Sequence, residues 1–337
     1  MSVLSPDLQG VVDEVRAAQP HLRGADQQTW TARLDRDYDR IQQALHWLLE
    51  HDPNTGLEMA VALPDYWHNK GRWAEGRGWL EKLLSAAPNA PARLRADALS
   101  GISGMAFRQG DNETARRRAH EALAIARMSG DVRLIVGALT RLSRVSLRDQ
   151  DPAQTILLCR EAMDLADQTG EQELTMAPLH CMAEATRMKG DYEGARELYL
   201  RSLALNRKHA DELVVGVELT NLASVELHFA RVDEAKKLWR EALAVAHRLQ
   251  NRYLLPYPVA GLGEAAAAEQ DWVRAATLLA AADGLFKASG GVMDPADVPA
   301  FEEAVARTRA NLEPGAFDRA WSHGEAMIAD EVVAFAG

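Results

Sequence analysis

A 40-residue step runs through most of this chain and constrains it more than any other feature. Starting at Ala115 the step lands on Thr155, Ala195, Ala235 and Ala275; starting at Ala122 it lands on Ala162, Ser202, Ala242 and Ala282. A third column, Ser103, Ser143, Ala183, Ala223 and Gly263, is also small, and each member follows a large apolar residue: Ile102, Leu142, Met182, Leu222 or Leu262. Self-similarity at such an interval means stacked copies of one supersecondary unit, each burying its apolar face on the next. Within a unit the apolar residues fall at helical spacing, as at Ala195, Leu198, Tyr199, Leu203 and Leu205, and strand-like alternation is nowhere sustained. Each unit therefore reads as two helices whose small residues mark where backbones approach.

Punctuation between the two helices supports this. "QGDN" at Gln109 to Asn112, "DQDP" at Asp149 to Pro152 and "KGDY" at Lys189 to Tyr192 mark the turn: Gly can take the left-handed conformation that closes a helix, Asp can cap the next one, and Pro152 suits a first helical position. The last two units carry "ARVD" and "EQDW" without the glycine, so their turns are expected to be less sharply specified.

Composition excludes several classes. The chain has 337 residues, 47% of them apolar, enough for a large core, and 49 acidic against 38 basic residues leave a formal charge of -11. That charge repels phosphate backbones and anionic lipid, so no direct nucleic-acid or membrane partner is expected. Cys159 and Cys181 lack zinc-site spacing and are too few for a disulfide framework. The N-terminus lacks the basic start and unbroken apolar run of a signal peptide, and no segment has the apolar length of a membrane span. A cytoplasmic protein is expected.

Small residues at the helix contacts, a large apolar residue before the first of them, Gly-Asp at the turn, and Ala195 with Tyr199 four residues on together resemble the tetratricopeptide repeat. The resemblance covers Asp97 to about Gly290, with a further unit at Leu57 to Pro88 in which Gly71 and Gly76 take the turn and small-residue stations. It departs from the common 34-residue repeat at the end of the second helix, where Arg127, Asp167, Arg207 and His247 replace the usual proline and let the helix continue. The ends, "PHLRGADQQTWTARLDRDYDRIQQALHWLLEHD", "ALPDYWHNKGRWAEGRGWLEKLL" and "AFDRAWSHGEAMIADEVVAFA", look like the C-terminal sensor region of large bacterial signal-transduction ATPases and transcriptional activators of the MalT-like group. That resemblance implies a sensor or interaction module without the nucleotide-binding and DNA-binding parts of a complete activator.

The expected fold is all-α: a right-handed superhelix of about six helix pairs. Capping helices are expected over residues 1–56, one or two of them ahead of the repeats, then repeats over 57–290 and a second cap over 291–337, with helices at Pro295 to Leu312 and Pro314 to Phe335.

Catalytic-looking strings are better explained by packing. "GRWAEGRG" (Gly71 to Gly78) has Arg77 and Gly78 where a phosphate-binding loop needs Lys and a hydroxyl, and "AGLGEAAA" (Gly261, Gly263, Ala266) follows Pro256 and Pro258 rather than a strand. His46, His51, His180, His209, His228 and His247 have no metal-site spacing, so no metal, cofactor or enzyme activity is expected. Trp47, Trp67, Trp73 and Trp79 read as packing of the N-terminal units; the alternative is an aromatic ligand edge around Trp67 and Trp73.

In tetratricopeptide arrays the first helix of each pair lines the concave face. On this register the groove residues include Arg108, Arg144, Arg148, His180, Glu184, Arg187, Thr220, Ser224, His228 and Glu264, basic first and acidic later. The expected occupant is a protein or peptide partner or a small anionic ligand, depending chiefly on Arg108, Arg144, Arg148 and Arg187. Two roles fit: a regulatory ligand- or peptide-sensing module, or a constitutive protein–protein adaptor.

Overall fold

A computed structural model describes residues 5–24 and 26–337. Among these are nineteen α-helices, one 3-10 turn at Gln19–His21 and no strand. No described helix is long and apolar enough to cross a membrane. The chain forms two compact units, residues 1–149 with 157–178, and residues 150–156 with 179–337.

The first unit contains α1 (Pro6–Ala18), α2 (Gln27–Arg36), α3 (Tyr38–His51), α4 (Pro53–Val61), α5 (Pro64–Asn69), α6 (Trp73–Ala86), α7 (Ala92–Arg108), α8 (Asn112–Ser129) and α9 (Val132–Arg148). Parts of α10 (Pro152–Thr169) and α11 (Glu173–Met188) fall in each unit. The second holds α12 (Tyr192–Lys208), α13 (Glu212–His228), α14 (Val232–Arg248), α15 (Pro256–Ala268), α16 (Trp272–Ser289), α17 (Val298–Ala310), α18 (Pro314–Ala326) and α19 (Ala329–Ala336).

Six helix pairs follow the repeat register. In the first, Pro64 interrupts the leading helix, leaving α4 and α5 in place of one rod. Three helices, α1 to α3, precede this pair, one more than the largest number expected.

The small-residue columns lie where helices touch. Ala115, Thr155, Ala195, Ala235 and Ala275 are all fully buried, as are Ala122, Ala162, Ser202, Ala242 and Ala282. At Gly261 an added Cβ would lie 2.1 Å from Cε2 of Trp239, so only a bare backbone fits under that indole. Both glycine strings that suggest nucleotide loops are helix packing: Gly76 has Trp67 Cδ2 at 2.6 Å from the position of a Cβ, and Gly263 has Leu279 Cγ at 2.9 Å.

The turns differ from expectation. Gln150, Ala230 and Gln270 adopt positive φ of 57°, 58° and 64°, beside 76° and 82° for Gly110 and Gly190. The same backbone bond closes glycine and non-glycine turns alike, Asp111 N to Ala106 O at 3.0 Å, Arg231 N to Glu226 O at 2.9 Å and Asp271 N to Ala266 O at 2.9 Å. Packing of the two helices imposes the geometry, and the non-glycine residue absorbs the steric cost of its Cβ. Capping follows composition: Asp111, Asp191 and Asp271 accept from backbone amides of the following helix, whereas Arg231 gives α14 no side-chain cap.

The C-terminal helix expected at Pro314 to Phe335 is two helices. The chain is extended at Met327 and Ile328, with ψ of 135° and 163°. Gly324 presses so closely on α16 that a Cβ there would lie 2.0 Å from Thr277 O, and the chain turns to bury Val332 and Ala336 in the core of the second unit. The preceding helix begins at Val298, three residues later than expected.

Candidate functional site

In the first unit, Asp131 caps α9 by accepting from the amides of Arg133 at 3.0 Å and Leu134 at 3.3 Å. Its helical period places Arg141, Arg144 and Arg148 on one stripe, while Leu139, Leu142 and Val145 enter the core. Arg148 lies with Cζ 4.0 Å from the Phe107 ring centroid and Arg108 with Cζ 5.1 Å, so this one phenyl ring holds two guanidinium groups. Arg141 occupies space that Gly104 leaves open: a Cβ on Gly104 would lie 2.8 Å from Arg141 Nη1.

Four cations on neighbouring elements repel one another. Burial, then the charges of Arg144, Arg108 and Arg23, push the Arg141 guanidinium down to about 9, with Asp65 the opposing acid. Asp65 is already gripped by Arg23, whose Nε and Nη2 both donate at 2.9 Å. Burial and the same arginines hold the His68 ring well below the ordinary histidine range. Among the described residues Arg141 and Arg144 make no hydrogen bond or ion pair, and the Arg144 Nε is buried without an acceptor.

The corresponding charged residues of the second unit pair with one another, although Glu218 Oε2 and Arg187 Nε, like Arg144 Nε, are buried without a hydrogen-bond partner. His180 Nδ1 lies 3.0 Å from Glu218 Oε1, its Nε2 3.4 Å from Glu184 Oε2, and Ser202 Oγ donates to Glu218 Oε1 at 2.6 Å. Burial alone would lower the His180 pKa, but Glu218 and Glu184 outweigh it and push the ring up to about 10. Arg187 donates to Asp297 at 2.8 Å, and the Tyr253 and Tyr257 hydroxyls reach Asp294 Oδ2 at 3.4 and 3.2 Å. The chain's own 291–297 segment thus brings two carboxylates onto this face. Burial pushes Glu184 up to about 7 and Glu264 up to about 8, the latter with Asp297 adding to the effect.

The sequence-predicted residues divide accordingly. Arg108, Arg144 and Arg148 gather in the first unit; Arg187, expected to join them, is in the second and already has a carboxylate. Thr220 and Ser224 donate to carbonyls of their own helix, Gly216 O at 2.9 Å and Thr220 O at 3.3 Å, and His228 stacks on Tyr192 with ring centroids 3.4 Å apart. Trp67 and Trp73 correct the aromatic-edge expectation: they are 0% and 2% exposed, and the Trp67 indole N–H donates to the Tyr38 hydroxyl at 3.0 Å, so both are core.

Arg141 and His68 escape the sequence register. Arg141 stands in the column Gly101, Arg141, Cys181, Asn221, Gly261, where its length is the exception, and Gly104 opposite is its complement in size. That pairing of one oversized residue with one glycine is the signal that could have found it.

No protein-family model matches the chain, and no curated protein matches it. Solved structures do. NprR in complex with its cognate peptide NprX aligns at TM-score 0.60 and 16% identity, covering 93% of this chain and 88% of that one. A Rap protein complexed with competence and sporulation factor aligns at TM-score 0.60 and 11% identity, covering 97% and 95%. PH0952 from Pyrococcus horikoshii, a signal-transduction ATPase with numerous domains and a tetratricopeptide repeat sensor, aligns at TM-score 0.54 and 13% identity over 81% of this chain and 43% of that one. At these identities the likeness is one of fold, and it establishes a helix-pair protein of the tetratricopeptide type, similar in fold to such a sensor.

Proposed function

We propose that this chain is a non-enzymatic regulatory module that senses an acidic peptide or another anionic ligand on the first-helix face of its N-terminal unit. The observation that carries the reading is the pair Arg141 and Arg144, two guanidinium groups without partners on a face where Arg108 and Arg148 add further positive charge. Leaving cations crowded and unpaired costs folding free energy, and a bound anion removes that cost. The peptide complexes of NprR and of the Rap protein lend the choice of a peptide, and the tetratricopeptide repeat sensor of the signal-transduction ATPase lends the setting, a signalling system; a cytoplasmic bacterial one is the setting that the sequence resemblance implies. The net charge of -11 keeps nucleic acid away while this face stays locally positive.

The test is a thermal-shift screen of short acidic, neutral and basic peptides at fixed ionic strength. Acidic peptides are expected to raise the melting temperature of the parent and to lose that effect in Arg144→Ala. A screen in which basic or neutral peptides stabilise equally well removes the reading.

A further inference from the structure

We infer that the face around Arg141 and Arg144 is a receptor for a doubly charged, phosphate-type group rather than for a single carboxylate; the inference rests on the anionic-ligand reading above and specifies its chemistry. Three features of the face lead there.

Two guanidinium groups, not one, lack a partner. They stand three residues apart on α9, so they are neighbours on the same helix surface. Each guanidinium presents a rigid fork of donors. A carboxylate has two oxygens and one charge and is filled by one fork. A phosphate monoester dianion has three terminal oxygens and two charges, so it can take both forks and neutralise both cations.

The surroundings add positive charge beside the pair and leave room for Arg141. Phe107, 7% exposed, stacks against both Arg108 and Arg148, each 8% exposed, which fixes two further cations beside the pair. Gly104 opens the space into which Arg141 lies, and any side chain there would displace it.

Nearby acids do not compete. Asp65, the acid that acts on Arg141, is held bidentately by Arg23. Within the same unit, Asp149 accepts from Arg116 Nε and Nη2, at 3.0 and 2.5 Å, and makes no ion pair with Arg141 or Arg144. In the second unit, by contrast, Arg187 meets Asp297 directly. Among the described residues, the charge without a partner on this face is therefore that of Arg141 and Arg144.

The experiment is calorimetric titration of the full chain with sulfate, inorganic phosphate, O-phosphoserine, acetate and glutamate at constant ionic strength. Sulfate stays dianionic throughout, which separates charge from titration of the ligand. The dianions are expected to bind about tenfold or more tighter than acetate or glutamate, the factor one extra charge-assisted hydrogen bond supplies. Arg141→Gln and Arg144→Gln are each expected to remove that advantage, while Arg207→Gln, at an exposed pair with Glu241, leaves it intact. Equal affinity for mono- and dianions, lost in both variants, overturns the dianion inference and leaves the anionic-ligand reading standing. Absence of any anion binding at about 10 mM, or binding indifferent to both substitutions, overturns both. A phosphoserine-containing peptide then distinguishes the source: tighter binding than O-phosphoserine assigns the group to a phosphorylated peptide, and equal binding assigns it to a free phosphate ester. Gly104→Ala supplies an independent check on the geometry, with an expected loss of dianion affinity at unchanged helical content; retained affinity detaches Arg141 from the site.

Discussion

The first-helix face of the N-terminal unit and that of the C-terminal unit are built on the same repeat register, yet they treat charge in opposite ways. In the first, Arg141 and Arg144 point at each other's field with no anion between them. In the second, His180 sits between Glu184 and Glu218, and Arg187 meets Asp297. The difference teaches that one repeat can be used either to hold its own chain or to await something else. The choice is made by residues outside the packing columns. Stability should be sensitive to charge deletion in the second unit and indifferent, or improved, in the first.

The largest effect is expected at the buried His180–Glu218 pair. His180→Ala strips the carboxylate of a fully buried Glu218 of its cation and should cost about 3 to 5 kcal/mol in chemical denaturation. A loss below about 1 kcal/mol would mean that the pair is incidental to stability.

Next comes overpacking. Ala195→Leu and Ala235→Leu, at fully buried stations, should each cost about 1 to 3 kcal/mol by the same measurement. Exposed Glu197 should accept substitution freely; equal tolerance at all three positions would break the register itself.

The pH dependence sharpens the contrast. Glu184 and Glu264 are raised to about 7 and about 8, so the native state holds protons there that the unfolded state has released, and stability falls as pH rises from the ordinary carboxyl range through those values. His180, raised to about 10, acts in the same direction: its contribution is complete below the ordinary histidine range and is lost as pH climbs toward 10. Unfolding free energy should therefore decline between about pH 5 and pH 9, and Glu264→Gln should flatten the slope. Arg141 has the opposite sign, because its folded value of about 9 lies below the unfolded one, so its strain is fully present at neutral pH and relaxes only above 9. Accordingly Arg141→Gln should leave the melting temperature unchanged or raise it, where a charge deletion in the second unit lowers it.

The smallest expected effect belongs to the turns. Gln270→Gly and Ala230→Gly remove a Cβ from a left-handed residue and should stabilise by about 0.5 to 1 kcal/mol, the steric gain being partly offset by glycine's greater freedom when unfolded. Destabilisation at either would show that the side chain, not the backbone bond, shapes the turn.

Much of the fold was legible in the sequence because packing leaves a periodic trace. Ala115 and Ala195 had to be small wherever two helices touch, and the 40-residue step exposed them. The turns at Ala230 and Gln270 were harder, since a left-handed residue forced by tertiary contact leaves no compositional mark. The break at Met327 is invisible for a similar reason: it follows the close approach of Gly324 to Thr277, a contact between positions far apart in sequence. For the site, Arg108, Arg144 and Arg148 followed from the register, but the partnership of Arg187 with Asp297 joins segments 110 residues apart and no local pattern announces it. Trp67 and Trp73 could equally have lined an edge or a core, because aromatic clusters serve both, and only burial separated the two.

The Arg187–Asp297 contact also bears on cooperativity. A run of helix pairs that touches only its neighbours comes apart as a series of nearly independent steps, each governed by one interface. A charge contact spanning 110 residues within the second unit exists only when α11 and the start of α17 are both in place. Fraying of the terminal helices there removes a partner from a pair three repeats earlier, so the unit opens as one block. Screening that contact with salt should divide the block into smaller ones, seen as hydrogen exchange from α17 uncoupling from exchange in α11.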